Sequence, residues 1–148
     1  MNPSRIVIKL GGASLQDPQV LEIFAQSLHD YKKYGYEVVV VHGGGPAINE
    51  ELTRRNITWS FYQGLRITTP EMIDVIEEVL QEKVNNSLVD ALGKLGLQAQ
   101  GLGGYRDGIL LCEAASQDLG LVGNVLKVNT EKIESLLPKN IPVISTVG

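Results

Sequence analysis

The chain is predicted to fold as a three-layer α/β sandwich around an open, mainly parallel sheet. Three observations predict it. Apolar, β-branched runs alternate with helical patterns from one end of the chain to the other. The connections between them are short. The runs are nearly continuous rather than alternating, as expected of strands covered by helices on both faces.

The first run, Arg5 to Leu10, is bounded by Gly11 and Gly12 and is expected to be a strand buried on both faces. Asp17 and Pro18 then open a helix as N-cap and first helical residue. Val20, Leu21, Phe24, Leu28 and Tyr31 recur on one side of it, and Gly35 is placed to end it. A second strand, Glu37 to His42, stops at Gly43-Gly44-Gly45-Pro46, where a helix to about Arg55 begins with Ile48 and Leu52 turned inward. Residues 56 to 69 show no strong periodicity. The longest helical pattern follows, from about Thr69 to Leu95, with apolar residues at three- and four-residue steps from Met72 onward. Thr68 and Glu71 have the spacing of a capping box, Pro70 suits the first turn, and Gly96 ends the helix. Gln98 to Leu102, Ile109 to Glu113 and Leu121 to Val128 are shorter strands between glycine turns. Asn129 begins a helix through Leu137, and Ile141 to Thr146 is a last buried strand with no closing helix after it. Parallel sheets ordinarily feed such a strand into a further crossover. The chain is therefore expected to be half of a larger protein, or to have that edge covered by something else.

Composition limits the function classes. The 148 residues amount to about one domain. With 43% hydrophobic and 20% charged residues, the chain suits a folded globular protein rather than a disordered one. Its 13 basic and 17 acidic side chains leave a net charge of −4, which does not support a nucleic-acid-binding face. No apolar run approaches the ~20 residues that span a bilayer. Lys9 interrupts the opening apolar stretch, so no signal peptide is expected. Cys112 is the single cysteine and cannot form an internal disulfide. Together these point to a cytoplasmic, reducing location without a membrane partner.

Three features fall at strand C-termini, where open α/β sheets place their ligands. Lys9 followed by Leu10, Gly11 and Gly12 sets a cation beside backbone N–H groups that a phosphate can approach; an edge lysine with a flexible turn is the alternative. The triple glycine after His42 exceeds what a strand-to-helix turn needs and aims N–H groups and a helix N-terminus at an anion. It matches neither the P-loop nor the dinucleotide glycine pattern. His42 has no carboxylate neighbour in sequence and is read as structural. Arg66, in Gly64 to Thr69, stands at a loop-to-helix junction suited to bidentate carboxylate recognition, or to a solvated surface. Asn85 and Asn86 have low helix propensity inside a helical pattern; hydrogen bonding across a site and exposure to solvent both remain open. Cys112 lies in an apolar strand and reads as a core residue, and Trp59, Phe61 and Tyr62 as a lid, an interface or ordinary packing. No paired cysteines, histidine cluster or H-E-x-x-H pattern suggests a metal, and no G-x-S-x-G suggests a serine hydrolase.

In their order, Ile6-Val-Ile-Lys-Leu-Gly-Gly12, the segment Val39 to Pro46, Gly64 to Thr69, Val84 to Leu88, Leu121 to Val125 and Ile141 to Ile144 resemble the amino-acid kinase family, and its acetylglutamate kinase branch in particular. The Gly-Leu-Arg-x-Thr segment is what points to that branch. The resemblance implies the N-terminal half of the carbamate kinase-like fold. Residues 1–148 would be its amino-acid-binding lobe, without the nucleotide-binding lobe. It implies transfer of the ATP γ-phosphoryl group, with Mg2+, to the side-chain carboxylate of N-acetyl-L-glutamate in arginine biosynthesis. Lys9 would then stabilise the phosphoryl group in flight, helped by Gly11 and Gly12. Gly44 and Gly45 would bind the acceptor and phosphoryl oxygens, and Arg66 the substrate α-carboxylate. A homodimer through the long helix is implied as well. Gly103 to Gly108 departs from the more compact turn of the family. A non-catalytic binding or dimerisation module, and a kinase for another small carboxylate, are the competing expectations.

Overall fold

In the computed structural model, which describes residues 3–137 and 139–148, four parallel strands form the central sheet in the order β1-β2-β8-β5. These are β1 (Arg5–Leu10), β2 (Glu37–His42), β5 (Ala99–Gly103) and β8 (Ile141–Ser145). Met1 and Asn2, which open the stretch read against a signal peptide, lie outside the described residues. Helices α1 (Pro18–Lys33), α2 (Gly45–Arg54), α3 (Pro70–Glu78), α4 (Asn86–Lys94) and α5 (Thr130–Leu136) surround the sheet. Two hairpins stand beside it: β3 (Phe61–Tyr62) with β4 (Leu65–Arg66), and β6 (Leu110–Ala114) with β7 (Gly123–Val128).

The four valines of β2 show how the layers form. Successive strand side chains point to opposite faces. Val38 and Val40 enter a core with Ala25 and Leu28 of α1 and Leu88 and Leu92 of α4. Val39 packs on the other face with Ile109, Leu137 and Ile144, beside Ile133 of α5. A third cluster joins Ile48 and Leu52 of α2 to Met72, Val75, Ile76, Val79 and Leu80, closing the end of the sheet where the strands terminate. The three-layer arrangement is as predicted, and Asp17 caps α1 by accepting from the Gln19 and Val20 N–H groups.

Several elements differ from expectation. β1 is an edge strand with Val7 69% exposed, so it is not buried on both faces; a continuous apolar run does not distinguish an edge from a centre. β8 is buried at all five residues, as predicted, but lies between β2 and β5 rather than at an open edge of the sheet. The N-cap of the long helix is Thr69, which accepts from the Met72 N–H, while the Thr68 hydroxyl donates to the Arg66 carbonyl. The helix is also not uniform: Val79–Asn85 is π-helical and joins α3 to α4. Its apolar stripe is largely consumed by the chain's own cores. Cys112 is half-buried rather than a core residue.

Candidate anion-binding site at the ends of β1 and β2

Register brings the strand ends level. Leu10 is opposite His42, His42 opposite Ser145, and Ser145 opposite Gly103. The glycines after β1 and β2 therefore emerge on the same rim. The Gly43 N–H donates to the Leu10 carbonyl at 3.3 Å and ties one loop to the other. Gly12 completes the junction. A Cβ there would lie 2.7 Å from Pro46 Cδ, 2.9 Å from the Gly45 nitrogen and 3.1 Å from Gly44 Cα. Only a residue without a side chain allows the two backbones to meet this closely. Gly44 is hemmed in on its other side, where a Cβ would run into Leu80 Cδ2 at 2.6 Å. Beyond it a cleft of about 230 Å3 is lined by Gly12, Gly44, Lys83 and Ser87.

At α2 the Gly44 carbonyl accepts from the Ile48 N–H at 2.9 Å. That bond turns the Gly45 N–H outward from the helix N-terminus, where its dipole favours an anion. Lys9 is exposed on β1, paired in register with Val41. Gly11 accepts from the Ser14 N–H through its carbonyl and has open space around its Cα.

Arg66 comes to α2 from the β3–β4 hairpin. The turn joining the strands places Gln63 at φ 49° and Gly64 at φ 81°, the pair of left-handed residues that a tight hairpin turn requires. Arg66 Nη2 donates to Asn49 Oδ1 on α2 at 2.5 Å. Its guanidinium lies 4.7 Å from the Phe61 ring centre and 5.2 Å from that of Trp59, distances at which an aromatic face attracts a cation. Nη1 is buried and, among the described residues, has no hydrogen-bond partner. Burial draws the Arg66 pKa below its usual value, yet a guanidinium stays charged at neutral pH. The result is a fixed cation with one donor unspent, one turn along α2 from the glycine rim. The aromatic residues thus take part in positioning Arg66, a role their sequence context did not reveal.

Below the rim lies a polar group of which the sequence singles out only His42, as structural, and Asn85, with its role open; Gln81 and Ser145 were missed. Asn85 and His42 are fully buried, and Gln81 nearly so. Asn85 Nδ2 is 2.9 Å from both the Val143 carbonyl and His42 Nε2, and the Ser145 hydroxyl donates to Gln81 Oε1 at 3.0 Å. Of the two open readings for Asn85 and Asn86, Asn85 bonds inside and Asn86 faces solvent. The π-helical turn is what rotates Gln81 and Asn85 inward, and an assumed 3.6-residue period could not place them.

The model of the amino acid kinase family matches residues 4–148. The chain belongs to the amino acid kinase family. It is 41% identical over 142 residues to the acetylglutamate kinase of Petrotoga mobilis, covering 94% of this chain and 48% of that protein. It is 44% identical over 147 residues to that of Prochlorococcus marinus, covering 97% and 47%. The chain thus spans about half the length of the curated relatives it matches. Among solved structures, smu.665 from Streptococcus mutans UA159 superposes with a TM-score of 0.90 at 28% identity, over 97% of this chain and 59% of that one. Giardia carbamate kinase, at a TM-score of 0.59 and 17% identity, shares the fold over 99% of this chain and 58% of its own.

Proposed function

We propose that this chain is the amino-acid-binding half of an acetylglutamate kinase, with N-acetyl-L-glutamate as its ligand and a nucleotide-binding half as the complement needed for turnover. The observation that carries the proposal is the unspent, buried Nη1 of Arg66, a guanidinium held by Asn49 one turn along α2 from the glycine rim. A buried cationic donor without a partner is costly unless a ligand supplies the acceptor. A carboxylate answers a guanidinium in charge and in fork geometry. Arg66 would thus hold the α-carboxylate and leave the side-chain carboxylate toward the glycines.

In the proposed reaction an oxygen of that carboxylate bonds to the γ-phosphorus of ATP as the bond to the ADP oxygen breaks. Such a transfer needs chiefly positioning and charge neutralisation. Lys9 would supply the positive charge. Gly11 and Gly12 would let phosphoryl oxygens approach the backbone, and the Gly44 and Gly45 N–H groups would bind the acceptor and phosphoryl oxygens. Mg2+ accompanies ATP in this reading. Among the described residues no cluster of three or more His, Cys, Asp or Glu side chains could hold a metal ion, so no step is assigned to the metal through this chain's own groups.

Calorimetric titration of N-acetyl-L-glutamate into the wild-type chain and Arg66→Ala tests the proposal. Saturable heat in the wild type that disappears in the variant supports it. Equal heats in both, or none in the wild type, would overturn it in favour of a binding module with a different ligand.

A further inference from the structure

The buried pair His42 and Asn85 does no work in the proposed transfer, yet it connects the centre of the sheet to the glycine rim. The Val143 carbonyl of β8 can only accept, so the nitrogen end of the Asn85 amide must face it. The second hydrogen of the same nitrogen then points at His42 Nε2, 2.9 Å away. Nε2 must accept that hydrogen, and a neutral imidazole that accepts at Nε2 carries its proton on Nδ1. His42 Nδ1 is 3.0 Å from the Gly43 carbonyl oxygen and donates to it. One backbone carbonyl thereby sets an amide orientation, the amide sets a tautomer, and the tautomer holds a second carbonyl.

The consequence reaches the rim through peptide geometry. The Gly43 carbonyl and the Gly44 N–H belong to one planar trans peptide and point in opposite directions. Holding the carbonyl inward fixes the Gly44 N–H outward. The neighbouring peptide is fixed independently by the Ile48 bond to the Gly44 carbonyl. A run of three glycines has little conformational preference of its own, so an external restraint is needed for both donors to keep one direction. The Thr146 hydroxyl adds a contact of 3.4 Å to the His42 carbonyl.

We propose that Asn85 and His42 are positioning residues which, by locking the Nδ1–H tautomer of His42 and through it the Gly43 peptide plane, hold the Gly44 N–H in the direction of an anionic ligand. The fold accommodates this unit deliberately. The π-helical segment delivers Asn85 to the sheet, and a Cβ on Gly101 of β5 would collide with Asn85 Oδ1. That the anionic ligand is N-acetyl-L-glutamate rests on the function proposed above; the tautomer and the peptide restraint do not.

Two measurements test the unit separately from its ligand. Long-range 1H–15N spectra of the histidine-labelled chain at pH 7.5 are expected to show His42 as the Nδ1–H tautomer, and Asn85→Leu as a mixture. The Gly44 amide signal is expected to move in Asn85→Leu and in His42→Gln. In His42→Asn it stays near its wild-type position, because the asparagine amide reaches the place of Nδ1 and keeps the donor to Gly43. An Nε2–H tautomer in the wild type, or a Gly44 amide that ignores His42→Gln, would overturn the proposal. N-acetyl-L-glutamate titrations are expected to show affinity falling about tenfold in His42→Gln and largely recovered in His42→Asn, the scale of one hydrogen bond to a charged group. A purely structural histidine would weaken both variants alike, as equal losses of thermal stability would reveal. If the wild type binds no N-acetyl-L-glutamate, the substrate proposal fails and the tautomer and Gly44 data alone decide this one.

Discussion

At the scale of single residues the rim depends on side chains that are absent as much as on those present. Gly12 faces the backbone of Gly44 and Gly45 and the ring of Pro46, none of which can swing aside. Gly12→Ala is therefore expected to lower stability by about 1–3 kcal/mol, the usual cost of overpacking. Gly11→Ala, with no atom of the described residues within 4 Å of its Cβ, is expected to leave the melting temperature unchanged; calorimetric melts of the two variants measure both. Glu51, nearly buried on α2, provides a different test. Arg54, Lys83 and Arg55 hold its carboxylate well below its ordinary value of 4.5. A depressed carboxylate pKa stabilises the fold fully above the unfolded value and loses that contribution as the pH falls below it. The melting temperature of the wild type should exceed that of Glu51→Gln by a constant margin above pH ~6 and by a shrinking one below pH 4.5. A margin that widens on acidification would contradict this account of Glu51.

Among elements, legibility followed the strength of the local signal. The helix starting at Asp17 and Pro18 and the strand of four valines were readable because cap chemistry and apolar continuity are local. The β3–β4 hairpin was not, since its strands are two residues each and its turn is Gln63-Gly64 rather than the usual Asn-Gly. The cost of holding Gln63 at positive φ suggests a test: Gln63→Asn should raise stability slightly, and Gly64→Ala should lower it by roughly 1 kcal/mol. Because Arg66 rides on this hairpin, Gly64→Ala should also weaken ligand binding, which titration measures. The π-helical segment was equally hidden, for a continuous three-and-four spacing accommodates one extra residue per turn without any visible break. Burial lowers the pKa of His42 below 6.5. The stability tied to its neutral form is then complete above pH 6.5 and declines as the pH falls toward the folded value. Melts from pH 7.5 to 5 should show that decline in the wild type and a smaller one in His42→Asn.

For the whole molecule, sheet order decides which strands the rest of the fold protects. β8 and β2 are interior, β1 and β5 are edges; sequence alone buried β1 on both faces and, while burying β8 correctly, left the sheet edge beside it. All are apolar, and nothing local marks the partner each strand finds. The three features proposed here as an anion site, by contrast, stood out as motifs because glycine runs and a junction arginine depart from what a turn alone requires. What the motifs could not convey is how Arg66 is held: by Asn49 and two aromatic rings that are distant in sequence or lie in a segment without periodicity. Amide exchange should be slowest in β8 and β2 and faster along β1; slower exchange in β1 than in β8 would contradict the strand order. The central claim is that Arg66 and the two glycine loops form one carboxylate site. Its most direct test is amide and guanidinium NMR of the chain titrated with N-acetyl-L-glutamate. The account predicts concerted, saturable shifts of the Gly12, Gly44 and Gly45 amides and the Arg66 side chain at a single dissociation constant. Shifts confined to another face, or Arg66 and the glycines moving with different constants, would contradict it.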